Sequence, residues 1–165
     1  MSAFLDSDLP PDAVPRARAG DMAAQEAIYR AFQKPVRTLA RRLVPRASQA
    51  EDLAHDVFVE VLQSLGQYDG RGSFAGWIRT ITVRKCLMHL RSPWHRGLRW
   101  VEGLVPPDAE APDGTQGDSG QGGRSLDLER ALAQLGDTAR AVVWLHDIEG
   151  YTHAEIGALL GGTAS

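Results

Sequence analysis

The sequence has one cysteine, Cys86, among 165 residues. That excludes an intrachain disulfide and any zinc cluster built on cysteine thiolates, and it suits a reducing compartment. Aromatic residues are sparse, at 7%. No apolar run approaches the ~18 residues needed to span a bilayer; Ala141 to Leu145 is typical of the longest. The N-terminus lacks the basic start and apolar centre of a secretion signal. Two absences are local: no acidic residue lies between Arg71 and Arg99, and no Lys or Arg follows Arg140. No glycine-rich phosphate loop, Ser/His/Asp order or paired carboxylates stand out, so nothing here calls for an enzyme or a cofactor. The expectation is a soluble, cytoplasmic chain of one ordinary domain or two small ones.

What is present is sufficient for a core: 43% of residues are hydrophobic and 24% charged. The net charge of −3 hides an asymmetry. Residues 1–100 carry fifteen basic and ten acidic side chains, a surplus of five; residues 101–165 carry three and eleven, a deficit of eight. The acid-free run holds Arg71, Arg79, Arg84, Lys85, Arg91, Arg96 and Arg99 with aromatics between them. That pattern fits a polyanion-binding face, with a solvated helix face as the bland alternative.

Apolar spacing gives an all-α reading of two small helical domains joined by a flexible acidic linker. Residues 1–17, with Pro10, Pro11 and Pro15, form a disordered lead-in, and a helical domain spans 18–94. Asp21 is placed to cap a helix that Pro35 should interrupt or restart. Ser48 to Glu51 reads as a capping box. The helix after it has the cleanest period, with Leu53, Ala54, Val57, Phe58, Val61, Leu62 and Leu65 on one face and Gly66 at its end. Gln67 to Ser73 is a loop, and Ser73 caps a helix striped by Phe74, Trp77, Ile78, Ile81 and Met88, so Trp77 is expected in the core. Residues 95–124 are linker, rich in Pro, Gly and acids. Residues 125–165 hold short helices: Asp137 can cap one, and Thr152 to Glu155 is a second capping box.

The stretches Ala50 to Phe58, Tyr68 to Phe74, Trp77 to Ile81 and His89 to Arg91 resemble, in this order, the promoter-melting domain of bacterial RNA polymerase sigma factors. The likeness is greatest to the two-domain extracytoplasmic-function group. Residues Leu126 to Gly161 resemble the start of that family's promoter-binding helix-turn-helix domain. The resemblance implies a transcription initiation factor that binds core RNA polymerase, recognises promoters and opens the minus-ten element, catalysing nothing itself. It implies that Asp52, His55, Asp56 and Val59 are exposed contacts to the clamp helices of the polymerase's largest catalytic subunit. Gln67, Tyr68, Asp69, Arg71 and Ser73 would form a specificity loop that takes up an unstacked base, and Arg79, Arg84, Lys85 and Arg91 would neutralise phosphates of the single-stranded non-template strand. An anti-sigma regulator is a further implied partner; membrane insertion is not.

The chain departs from the family at His55 (usually Gln), Arg84 (often Asn) and Met88 (often Asp). The helix-turn-helix has its first helix and Gly161-Gly162 turn, but the sequence ends where the recognition helix is expected, so a partial promoter-binding domain is the expectation. Two rival functions follow: a truncated sigma-like interaction protein that binds polymerase or an anti-sigma factor, and an all-α metal-dependent hydrolase suggested by His55-Asp56 and His146-Asp147. Neighbouring helical residues diverge by about 100° and the two pairs lie on either side of the linker, which favours surface residues over metal ligands. Cys86 reads as a buried small hydrophobe by default, with a redox switch as the alternative.

Overall fold

The computed structural model describes Phe4, residues 9–92 and residues 135–160. Six α-helices occupy these residues, and no strand occurs among them. They are α1 (Ala13–Arg18), α2 (Met22–Leu43), α3 (Ala47–Gln63), α4 (Phe74–Arg91), α5 (Asp137–Asp147) and α6 (His153–Leu159), with a 3₁₀ turn at Leu65–Gln67. The expected linker at 95–124, the expected helix around Leu128 to Leu135 except Leu135 itself, and the Gly161-Gly162 turn lie outside the described residues.

Helices α2, α3 and α4 pack mutually around Ile28, Phe32, Val36, Val57, Val61, Ile78 and Leu87, all buried. Within the stretch read as a lead-in, α1 begins at Ala13. Pro15 sits in the first turn of α1, where backbone N–H groups have no intrahelical acceptor in any case. Ala13 and Ala17 are buried, and the Phe4 ring stacks on Phe32 with centroids 6.4 Å apart. Arg16 ties α1 to the start of α2, its Nη2 lying 2.6 Å from Asp21 Oδ2. Asp21 in turn accepts the Ala23 N–H at 2.9 Å, as a cap should.

Pro35 does not break α2, which runs unbroken for 22 residues. The ring costs a backbone hydrogen bond, a loss of about 3 kcal/mol in an isolated helix. Phe32, Val36, Leu39 and Leu43 bury one continuous face around it, and at ~1.5–3 kcal/mol per large side chain that burial outweighs the loss. The capping box expected at Ser48 is also absent. Helix α3 begins at Ala47 with Arg46 at its cap position, which leaves Ser48 inside the first turn, and Glu51 turns to α2, where it meets Arg37 at 2.8 Å and Arg41 at 2.7 Å. Gly136, not Asp137, stands at the cap of α5. The box at Thr152 forms as read: the Thr152 N–H donates to Glu155 Oε2 at 2.8 Å and the Glu155 N–H to Thr152 Oγ1 at 3.2 Å.

The two parts of the chain are not held apart. Helix α5 packs on α2 and α4, and α6 on α4. Ala141, Leu145 and Ile156 join the same buried cluster as the α2–α4 core.

Candidate nucleic-acid and polymerase interface

Two faces carry the side chains singled out by the sequence. On α3, Asp52, His55, Asp56 and Val59 are all exposed. Their i, i+3, i+4, i+7 spacing puts them in one stripe, while Ala54, Val57, Phe58 and Val61 anchor the opposite side of the helix in the core. Leu53 is half-buried between the two.

The second face is built by the loop before α4 and by one side of that helix. Gly70 and Gly72 have φ of +77° and +72°, left-handed conformations that glycine alone adopts without strain. They turn the chain so that the Tyr68 hydroxyl donates to the Gly72 carbonyl at 2.9 Å and Asp69 Oδ1 accepts the Arg71 N–H at 2.9 Å. Ser73 accepts the Gly76 N–H at 3.2 Å, so its hydroxyl serves the start of α4. Gln67 and Arg71 stay exposed, the Arg71 side chain at 92%, 3.6 Å from Asp69.

Tyr68, Phe74 and Trp77 form an aromatic cluster. The Tyr68 ring lies 5.2 Å from Phe74 and 5.4 Å from Trp77, and Phe74 stacks on Trp77 at 5.5 Å. Phe74 also meets core Phe32 edge-on at 5.8 Å. Trp77 is therefore half-buried at the edge of the core, not enclosed in it as the striping suggested. Beyond Trp77 the exposed side of α4 continues through Thr80, Arg84, Met88 and Arg91. A groove with a volume near 370 Å³ adjoins the loop, lined by Pro11, Val14, Arg18, Tyr68, Gly70 and Phe74 among others.

The basic residues of α4 do not act as one set. Arg84 and Arg91 share the exposed stripe, but Arg84 also pairs with Glu60 of α3. Lys85 is drawn into the α3–α4 groove, 2.8 Å from the same carboxylate. Burial pushes the Glu60 carboxyl up, yet the Lys85 hydrogen bond and the charges of Arg84 and Lys85 outweigh it and hold the group below its ordinary range. A carboxyl lowered in the folded state stabilises above its unfolded range and stops doing so as pH falls through its folded value. Glu60→Gln should thus cost about 1 kcal/mol or less near neutrality. Thermal melts of the variant and the parent should converge at acid pH; a constant gap from pH 7 to 3 would show that the loss is packing, not charge.

Arg79 points elsewhere. Five residues before Arg84, it lies on another side of the helix and approaches Glu149, after α5, at 3.8 Å. Sequence reasoning did not find Glu149, Arg42, or the Arg37–Glu51–Arg41 cluster, because each depends on which helices touch. Thr80 completes the exposed stripe and was not singled out; its hydroxyl donates to the Gly76 carbonyl at 3.0 Å, as Thr82 donates to Ile78 at 2.9 Å. These bonds occupy the polar ends of β-branched residues that propensity alone disfavours in a helix.

Among the described residues no three His, Cys, Asp or Glu side chains are grouped for metal binding. His55 and Asp56 belong to the α3 stripe, and His146 Nδ1 lies 2.7 Å from Asp147 Oδ1 at the end of α5. Cys86 is fully buried and its thiol is pushed up to about 12 by desolvation, which leaves almost no reactive thiolate near neutral pH. Of the two readings of this residue, the buried hydrophobe holds. No helix among the described residues is long and apolar enough to cross a membrane.

Residues 28–96 match the Sigma-70 region 2 family, which covers α3, the loop and α4; residues 125–165 match Sigma-70, region 4. The chain is 34% identical to the RNA polymerase sigma factor CarQ of Myxococcus xanthus, over 88% of its own length and 82% of that protein. The chain belongs to the extracytoplasmic-function group of RNA polymerase sigma factors. It is 35% identical to the ECF RNA polymerase sigma factor SigE of Mycolicibacterium smegmatis, covering 98% of this chain and 66% of that protein. It is 30% identical to the ECF RNA polymerase sigma factor RpoE of Cereibacter sphaeroides, covering 86% and 76%. The family is one of promoter-recognition factors for transcription initiation. Its region 2 is the part of this chain that carries both exposed faces.

Proposed function

We propose that this sigma factor joins core RNA polymerase through the α3 stripe of Asp52, His55, Asp56 and Val59, and holds the separated minus-ten non-template strand on the face made by the loop and α4. One observation carries the reading: a half-exposed aromatic cluster leads directly into a stripe bearing Arg84 and Arg91. Stacking surfaces alternating with cations are what a single strand needs and a duplex cannot use, since paired bases hide their faces. Tyr68 and Trp77 supply the surfaces; Gln67, Asp69 and Arg71 border the place where an unstacked base would sit. Arg84 binds phosphate by exchanging its Glu60 partner, and Lys85 acts at shorter range by holding α4 against α3. The factor opens DNA by binding the open form more tightly, with no catalytic step of its own, in the cytoplasm and under an anti-sigma regulator.

Reconstitution with core polymerase on a promoter carrying a premelted minus-ten bubble tests this. The complex should form on the bubble at least tenfold more tightly than on the closed duplex. Asp52→Ala with Asp56→Ala should reduce co-purification with core polymerase while leaving the melting temperature within a few degrees, because both side chains are exposed. Undiminished co-purification would remove the polymerase assignment, and equal affinity for bubble and duplex would remove the strand assignment.

A further inference from the structure

The contact between the two parts of the chain has an ionic centre that does not fit well. The Glu149 side chain is only 5% exposed and stands between two guanidiniums, with Oε1 3.8 Å from Arg42 of α2 and Oε2 3.8 Å from Arg79 of α4. A charge-assisted N–H···O bond closes to about 2.7–2.9 Å, so both approaches are roughly 1 Å too long. Glu149 Oε2, Arg79 Nε and the Tyr151 hydroxyl are all buried without a hydrogen-bond partner. Such a carboxylate bears the desolvation penalty of burial without the bonds that would offset it. The surrounding contacts hold it there: Trp144 covers the Arg42 guanidinium at 5.5 Å, Tyr151 covers that of Arg79 at 4.7 Å, and Leu145 and Ile156 are buried beneath.

Two guanidiniums that each stay 3.8 Å from the carboxylate between them suit a bulkier anion. A phosphodiester offers two charged oxygens on a tetrahedral centre, and guanidinium forks match phosphate geometry. We infer that Arg42 and Arg79 form a phosphate site for the nucleic-acid backbone on the first part of the chain, which Glu149 occupies in this structure and a DNA phosphate takes when α5 and α6 lift away. The site extends the strand-binding face proposed above around α4, and it rests on that reading. DNA and the C-terminal helices then compete for the same two cations, so strand binding and release of those helices are one equilibrium. The aromatic covers of both arginines belong to the departing side, so opening uncovers two guanidiniums that are now partly exposed, at 42% for the Arg42 side chain and 28% for that of Arg79.

Glu149→Gln removes the competing charge while keeping the shape. It should tighten binding of the full chain to a single-stranded minus-ten oligonucleotide by about three- to tenfold. One additional phosphate contact should also steepen the dependence of log affinity on log salt by about 0.7. The gain should vanish in a Glu149→Gln, Arg79→Ala double variant. A second measurement does not depend on that variant folding. With dyes on Met22→Cys and Ala158→Cys, both at exposed positions, energy transfer should fall as oligonucleotide is added; buried Cys86 will not label. Unchanged transfer at saturating oligonucleotide, or a Glu149→Gln affinity equal to that of the parent, overturns the site provided Arg84→Ala weakens binding in the same assay. If Arg84→Ala is silent too, the strand-binding reading itself has failed, and this site fails with it.

Discussion

Replacing Phe32 with Ala should cost about 3–5 kcal/mol, the price of truncating a buried aromatic ring, out of a total stability for a domain this size of about 5–15 kcal/mol. The ring is 2% exposed and sits where three parts of the fold meet. Phe4 stacks on one side, and Phe74 at the start of α4 meets it edge-on. Its neighbours cannot close over the gap easily, since α2 is held in register on both sides of Pro35 by the same buried face. Thermal denaturation followed by circular dichroism should show a fall of roughly 10–25 °C. Met22→Ala, on the same helix but 74% exposed, should move stability by no more than about 0.5 kcal/mol. Because Phe32 backs Phe74, tryptophan fluorescence at the loop should change before global unfolding. A drop of only a few degrees would mean that the three helices are not joined through this ring.

The features legible in the sequence are those decided within one helix. The period of α3 needed only its own residues, and so did the exposed stripe from Asp52 to Val59. The Thr152–Glu155 box formed as its local pattern predicts, and the Glu155 carboxyl is held low by the Thr152 backbone and side-chain hydrogen bonds and, to a lesser degree, by the charge of Arg79. The Ser48–Glu51 box has an equally good local pattern and failed because α3 starts before it, at Ala47, and Arg37 and Arg41 on α2 offer Glu51 two cations. Pro35 is a helix breaker only where packing does not override it. The loop from Gln67 to Ser73 was readable from its glycines, yet the use of Tyr68, Asp69 and Ser73 for bonds within the loop and its cap was not. On α4, counting arginines made one basic set; the register divides it, placing Arg84 and Arg91 on the exposed stripe, Arg84 and Lys85 against Glu60 and Arg79 toward Glu149. An acidic residue after α5 gave no hint of that contact, because it depends on docking across the sixty-nine residues between Arg79 and Glu149.

Tyr68→Ala and Trp77→Ala should each reduce the affinity for a premelted minus-ten promoter by about ten- to a hundredfold, corresponding to the ~1–3 kcal/mol measured for stacking one base on an aromatic side chain. Both rings are half-buried, so each truncation will also cost stability, and affinity alone does not separate the two effects. The comparison that does is between open and closed DNA. A stacking surface acts only on unpaired bases; its loss should lower binding to the bubble and leave binding to duplex unchanged, whereas a loosened fold would weaken both. Conservative variants sharpen the distinction. Trp77→Phe keeps a ring against Phe74 and should recover most of the affinity. Tyr68→Phe keeps the ring but loses the 2.9 Å bond to the Gly72 carbonyl, so it should retain stacking while releasing the loop from its turn. Its affinity should then fall modestly, by a few-fold, and its discrimination between bases at the captured position should fall more. Were Tyr68→Ala and Tyr68→Phe to behave alike, the hydroxyl's hold on the loop would be the whole contribution of this residue, and the base would have to stack elsewhere.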